Sequence, residues 1–342
     1  MFLIKPHPPR KRGIFPFGEG LKQRKTERRK RKTMKKIFID GKAGTTGLRI
    51  YERLGGRKDI EMITLSEELR KDEAARREAI NSADIAFLCL PDAAAKESVA
   101  MVENPNTVII DTSTAHRTNP TFAYGFPELS PAFEEKIRTS KRIAVPGCHA
   151  SGFIALVHPL ISAGILPENA RLTCHSITGY SGGGKKMIEE YESEGRNPLL
   201  SAPRQYGLTQ EHKHLKEMKA ITGLDASPIF CPIVSDFYSG MVVTVPLFKE
   251  DVNGASMADI ANIYKNLYTG PIVTFTENMD ENGFISGAGL SGKDSMQVSV
   301  LGNDDRMILV ARYDNLGKGA SGAAVECLNI VLGCEKTLGL EI

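Results

Sequence analysis

Lys36-Ile37-Phe38-Ile39-Asp40 runs directly into Gly41-Lys42-Ala43-Gly44-Thr45-Thr46-Gly47, and Leu48 to Leu54 continue with helical spacing. An apolar run of strand length, a turn with three glycines and a helix start give a buried strand that reverses tightly. The first N–H groups of the helix are left free at the turn. Such a turn suits a dinucleotide pyrophosphate, because glycine lets the backbone come close and the helix start receives negative charge. The spacing Gly41, Gly44, Gly47 departs from G-x-G-x-x-G, so the turn by itself also fits a plain strand-to-helix connection. Its place at the head of an alternating series favours the nucleotide. Strand candidates recur at Ile60 to Leu65, Ile85 to Leu90 and Val108 to Asp111, separated by helical stretches at Glu67 to Ile80 and Ala93 to Val102. Alternation of this kind gives a parallel, doubly wound α/β sheet.

From Cys148 the character changes. One helix over Ser151 to Ala163 leads into β-rich runs at Arg171 to Thr178, Ile229 to Val234, Met241 to Phe248, Ile272 to Phe275, Met296 to Leu301 and Met307 to Tyr313. Several strands with few helices predict an antiparallel or mixed sheet, hence an α+β second domain. A final helix is expected over Lys318 to Leu332, with Ala320, Ala323, Ala324, Leu328 and Val331 on its apolar side. The expected domains are 34–147 with 316–342 for the Rossmann-type nucleotide part, and 148–315 for the α+β catalytic and dimerisation part.

Residues 1–33 stand apart. They hold twelve Lys or Arg against Glu19 and Glu27, whereas the rest of the chain carries 32 basic and 39 acidic residues. The tail lacks apolar periodicity, so it reads as a disordered extension, or as leader upstream of a start at Met34. Its charge also suits nucleic acid or anionic lipid, or a transit-type leader. No segment reads as membrane-spanning. Six cysteines without a CxxC pair argue against a disulfide framework or zinc knuckle and fit a reducing cytoplasm.

Pro146-Gly147-Cys148 followed by His149-Ala150-Ser151-Gly152 and an apolar run puts a thiol where a strand hands over to a helix. A helix start lowers a thiol's pKa, which makes Cys148 a candidate nucleophile, with a buried core cysteine as the alternative. A cysteine attacking an acyl group profits from an imidazole. His212-Lys213-His214, with Glu217 three residues on, is the leading segment; its histidines could be base, metal ligands or plain surface. His7, His116, His149, His158 and His175 have weaker claims. Arg117, in Asp111-Thr112-Ser113-Thr114-Ala115-His116-Arg117 after a strand end, can fork onto a carboxylate or phosphate. The Gly179 to Lys186 loop also opens a helix and can hold an anion. Ser66, at the end of the second strand, can donate to a 2′-phosphate, with Arg49 or Lys42 supplying positive charge, although Glu67 and Glu68 adjoin it.

Taken in order, these motifs resemble the N-acetyl-γ-glutamyl-phosphate reductases of arginine biosynthesis, the shorter second type, over Lys35 to about Gly333. The stretches that carry the likeness are the Asp40 to Leu48 turn, Leu88-Cys89-Leu90-Pro91-Asp92, Asp111 to Arg117, Tyr124 to Leu129, Pro146-Gly147-Cys148, Gly179 to Lys185, Tyr206-Gly207-Leu208-Thr209, His212-Lys213-His214 and Asp314 to Ala320. The resemblance implies a homo-oligomeric enzyme that uses NADPH to reduce an acyl phosphate through a thioacyl intermediate, with no metal. Cys148 would be the nucleophile and His214, then His212, the acid/base. Gly41, Ala43, Gly44, Thr46, Gly47, Ser66, Pro91, Gly182 and Asn315 would hold the cofactor. Ser113, Arg117 and Glu217 would meet the substrate. Relatives usually carry an aromatic and a proline after the cysteine, where this chain has His149-Ala150, and a proline where it has Lys216. The alternatives are a sister enzyme such as aspartate semialdehyde dehydrogenase, whose usual Asn-Cys-Ser/Thr motif is absent, or a nucleic-acid-binding protein that uses its tail.

Overall fold

Apolar side chains on successive residues of the first strand require a sheet covered on both faces. In the computed structural model, which describes residues 34–342, β1 (Lys35–Asp40) buries Ile37 and Ile39 on one side and Phe38 on the other. β2 (Ile60–Ile63), β3 (Ile85–Leu88), β4 (Val108–Asp111), β5 (Ala123–Tyr124) and β6 (Arg142–Ala144) complete a parallel sheet in the order β2-β1-β3-β4-β6-β5. α1 (Thr45–Leu54) and the last helix, α9 (Gly322–Leu332), supply Ile50, Leu54, Ala323, Ala324 and Leu328 to the core on the Ile37 side. α2 (Glu73–Ser82) and α3 (Asp92–Ala100) flank the sheet, and Ile80 of α2 packs on the Phe38 side. α4 (Pro131–Thr139) leads into β6. The basic extension expected over 1–33 lies outside the described residues.

α2 starts later than its periodicity predicts. Asp72 accepts from the Ala75 N–H at 2.8 Å and fixes the helix start there, so Glu67 to Lys71 form turns instead. The final helix also departs from expectation. Gly317–Ser321 makes a π-turn, and regular α9 begins only at Gly322. Gly317 lets this turn pass close to its neighbour: a Cβ there would stand closer than any real contact to the Lys293 carbonyl oxygen. Lys318 in that turn is fully buried and donates to both oxygens of Glu128 and to Glu326 Oε2.

The second sheet is mixed. β7 (Thr173–Gly179), β8 (Arg204–Gln205), β9 (Ile229–Ser235), β10 (Met241–Phe248), β11 (Val273–Phe275), β12 (Met296–Asn303) and β13 (Arg306–Tyr313) lie in the order β11-β12-β13-β10-β7-β9-β8. The β7–β9 and β11–β12 pairs are parallel and the others antiparallel. α5 (Cys148–Ser162), α7 (His214–Thr222) and α8 (Met257–Leu267) share a core with one face, through Phe153, Leu156, Met218 and Tyr264. α6 (Gly184–Glu192) follows the Gly179 loop. Helices are more numerous here than expected. α8 was signalled by Ser256 and Asp259, which form a reciprocal capping box. The strand residues Ile177, Ile229, Phe248 and Ile308 stay exposed.

Candidate active site

Cys148 opens α5, and the residue before it caps the helix without any side chain accepting from the first turn. No side chain competes for the N–H groups of that turn, and the His149 N–H is directed at the Cys148 sulfur. Gly147 is needed for closeness, not for a rare conformation. A Cβ on it would lie 2.3 Å from Arg117 Nη1 and 2.4 Å from His214 Nε2. The peptide before the thiol thus lies directly against a guanidinium and an imidazole. Tyr313 Oη donates to the Cys148 carbonyl at 2.5 Å and receives the Gly152 N–H at 3.0 Å, pinning the helix start to β13. Gly319 of the π-turn closes the other side, where a Cβ would sit 3.1 Å from Cys148 Cβ.

Cys148 and a ring nitrogen of each of His149 and His214 have their ligating atoms within 4.8 Å of one another. The protein surroundings push the Cys148 thiol above its ordinary pKa, outweighing the opposing pull of Arg117. This reverses the expectation from the helix start: desolvation of the thiolate exceeds the helix-end effect. Burial first, then Arg117 and the neighbouring histidines, hold His214 well below its ordinary pKa. The resting pair is therefore a thiol beside a neutral imidazole. His212 is less enclosed; its Nδ1 accepts the His214 backbone N–H at 3.3 Å, and burial lowers its pKa.

Glu217 is the hinge of the arrangement. From α7 it accepts from Arg117 Nη1 at 3.1 Å, the Tyr124 hydroxyl at 2.7 Å and the Gly147 N–H at 2.8 Å. Arg117 also donates to the carbonyls of Val145 and Thr112. A buried carboxylate with three donors is satisfied and rigid.

The thiol faces a cavity of about 350 Å³ whose walls include Thr45, Thr46, Arg117, Gly182, His214 and Asn315. A neighbouring recess of about 220 Å³ is lined by Gly44, Gly47, Pro91, Ser113 and Thr114. Gly41 has φ +85°, and a Cβ there would meet the Cys89 carbonyl oxygen at 2.2 Å; one on Gly47 would meet the Gly41 carbonyl oxygen at 2.6 Å. α1 has neither a side-chain cap nor an acidic residue in its first turn. The cradle has the close backbone and open N–H groups that a pyrophosphate needs. A third cavity, about 510 Å³, continues past Gly41, Lys42 and Ala43 to Leu65, Arg70 and Lys71.

Most expected residues converge on these cavities, but several take other places. Glu217 lies beneath the cavity and not in its wall, because its oxygens are consumed by Arg117, Tyr124 and Gly147. Ser66 is exposed and its hydroxyl bonds Glu68, lowering that carboxyl's pKa. Arg49 turns to Asp314 at 3.7 Å, and Lys42 stands 3.3 Å over the Tyr51 ring. Gly182 and Asn315 line the thiol's cavity, and Asn315 spends its amide on the Gly240 N–H and Ser181 Oγ. Ser113 donates to Asp111 at 2.8 Å, as His116 joins the same carboxylate at 2.6 Å. Arg70, Lys71 and Tyr313 were not anticipated. Arg70 and Lys71 were hidden inside a stretch read as helix, whereas Tyr313 looked like one more strand residue.

A glycine-turn nucleotide cradle on a parallel sheet, meeting a helix-start cysteine carried by a mixed sheet, defines a semialdehyde dehydrogenase. The family models agree: residues 43–138 match the semialdehyde dehydrogenase NAD-binding domain and 148–315 the semialdehyde dehydrogenase dimerisation domain. N-acetyl-gamma-glutamyl-phosphate reductase 2 of Nostoc sp. is 43% identical over 318 residues, covering 89% of this chain and 99% of its own. The N-acetyl-gamma-glutamyl-phosphate reductase of Sinorhizobium medicae is 46% identical over 305 residues, covering 87% and 98%. The chain belongs to the N-acetyl-γ-glutamyl-phosphate reductase family. Among solved structures, aspartate semialdehyde dehydrogenase II of Vibrio cholerae shares the fold at TM-score 0.67 and 16% identity, covering 88% of this chain and 99% of that one.

Proposed function

We propose that this protein reduces N-acetyl-γ-glutamyl phosphate to N-acetylglutamate 5-semialdehyde and phosphate with NADPH, through a thioacyl intermediate on Cys148. The observation that carries the reading is the thiol at an open helix start, beside a neutral imidazole and a braced guanidinium, in a cavity that reaches the glycine turn. His214 takes the thiol proton as sulfur attacks the acyl carbon. Free N–H groups at the start of α5 receive the carbonyl oxygen as it gains charge. Arg117 offers charge to the departing phosphate, a leaving group that needs neutralisation more than a proton. His214 then returns its proton to sulfur when the aldehyde leaves.

The turn Gly41 to Gly47 would hold the pyrophosphate, with Pro91 beside the nicotinamide, and when bound the reduced ring supplies the hydride. NADP is favoured over NAD by Arg70 and Lys71, which stand where the second strand ends, although Glu67 pairs with Arg70 at 2.8 Å. We read 34–147 with 316–342 as the cofactor part and 148–315 as the catalytic part, in a cytoplasmic homo-oligomer. The exposed Ile177, Ile229, Phe248 and Ile308 would be covered by a second copy. No helix among the described residues is long and apolar enough to cross a membrane. The test is direct. Cys148→Ser should lose turnover of N-acetylglutamyl phosphate, and native protein with the acyl phosphate alone should gain one acyl mass on Cys148. Retained turnover, or faster reduction of aspartyl phosphate by the same preparation, overturns the reading.

A further inference from the structure

His149 stands where the resemblance leads one to expect an aromatic ring, and the reaction as described gives it no task. It is buried, the second residue of α5, with Nδ1 2.6 Å from Ser176 Oγ and Nε2 2.6 Å from Tyr206 Oη. His212, His214 and Phe230 enclose the ring, with centroids 5.9, 5.5 and 5.2 Å away. Two hydroxyls on one imidazole leave a choice of proton directions, and burial removes it.

Ser176 is fully buried on β7, and its hydroxyl has no hydrogen-bond partner but His149 Nδ1 among the described residues. A hydroxyl proton in a dry interior must find an acceptor, so Ser176 donates and Nδ1 accepts. Burial and His212 push the His149 pKa down to about 3, so the ring is neutral and its single proton is on Nε2. Nε2–H then donates to Tyr206 Oη. Tyr206 itself stays a phenol, because burial and the nearby Cys148 raise its pKa. Its proton has no protein acceptor among the described residues, and the residue is part of the wall of the thiol's cavity.

We propose that His149 is a positioning residue that turns Tyr206 into a hydrogen-bond donor aimed into the cavity, for an acceptor oxygen of the acyl substrate held at Cys148. The chain Ser176 to His149 to Tyr206 runs one way, from the core of the second sheet to the reacting group. An apolar ring at 149 would neither accept from Ser176 nor orient Tyr206, so the wiring depends on the imidazole. The inference rests on the acyl-phosphate reading only for the identity of the acceptor.

The proton direction is tested on the unmodified protein. In ¹⁵N-histidine-labelled protein, with His149 assigned by its loss in His149→Gln, the long-range ¹H–¹⁵N pattern should be that of the Nε2–H tautomer, unchanged between about pH 5 and 8. An Nδ1–H tautomer, or titration in that range, overturns the proposal. Kinetics give the second arm. Tyr206→Phe and His149→Asn should each lower kcat/KM by about tenfold, the loss expected for one neutral hydrogen bond. His149→Gln, whose amide nitrogen replaces Nε2–H, should restore most of it. Equal loss in the Asn and Gln variants at equal thermal stability, or full activity in Tyr206→Phe, refutes the positioning role. If the native protein reduces no acyl phosphate, the substrate reading fails, and the tautomer still decides the wiring.

Discussion

Gly147→Ala probes the arrangement around the thiol directly. Gly147 has φ −78° and ψ 148°, ordinary extended backbone, so alanine introduces no strain in the loop itself. Its methyl would lie 2.3 Å from Arg117 Nη1 and 2.4 Å from His214 Nε2, where ordinary contact begins at 3.4 Å. Arg117 cannot swing freely, because Glu217 and the carbonyls of Val145 and Thr112 hold it. The imidazole must therefore retreat by about 1 Å and the guanidinium by a similar amount at the expense of those bonds, and a misplacement of that size costs roughly 100-fold in rate. That is about 2.7 kcal/mol of activation free energy. Overpacking costs a further ~1–3 kcal/mol of stability, a loss of a few degrees in Tm for a chain of this length. NADPH oxidation with the acyl phosphate and scanning calorimetry on the same samples measure both. Gly56→Ala is the control, since a Cβ there meets nothing within 4 Å. Turnover within about threefold of native would refute the argument that a side chain at 147 displaces the imidazole.

Three further outcomes follow from the electrostatics. Because its surroundings hold the Cys148 thiol above its ordinary pKa, the thiolate fraction should climb steadily from pH 7 to 9. Iodoacetamide labelling of Cys148 should climb with it, and a labelling rate already flat from pH 6 would reveal a standing thiolate–imidazolium pair instead. Glu326 is pushed up from 4.5 to about 8 by burial and by Glu128. Its folded pKa exceeds its unfolded one, so its contribution is complete below pH 4.5 and is lost as pH rises through 8. Glu326→Gln should thus lose less stability than the native protein between pH 6 and pH 9 in urea unfolding; an unchanged pH slope sinks the assignment. Arg70→Ala should raise KM for NADPH about tenfold, roughly 1.4 kcal/mol, and leave NADH unaffected. Equal effects on both cofactors would remove Arg70 from the 2′-phosphate.

What the sequence disclosed depended on how local the cause was. Strands β1, β3 and β4 are continuous apolar runs with polar punctuation, so they were legible, as was the cysteine at a helix start. The start of α2 was misread because Asp72 caps it inside a stretch of uniform helical propensity. α8 carried its capping box openly but offers only Ile260 and Tyr264 as fully buried residues, a narrow stripe among the β-rich runs. The thiol's raised pKa could not be read from a motif. Helix-end effects are local, whereas desolvation is set by everything that packs around the group. Glu217 shows the same limit: its spacing from His214 marked it as part of the site, but only the fold brings Gly147, Tyr124 and Arg117 to it and so makes it a brace.

The contribution of α9 to the core of the first sheet bears on how the protein is made. Ile37 and Ile39 are synthesised long before Ala323, Ala324 and Leu328, which share their core. Until then that face of the nucleotide sheet is covered only in part, by Ile50 and Leu54 of α1 and Ile137 of α4, and its closure waits on contacts of very long sequence separation. Nascent chains should accordingly remain dependent on chaperones until α9 has been made, and termination near the end of β13 would leave a sticky sheet in place of a smaller working enzyme.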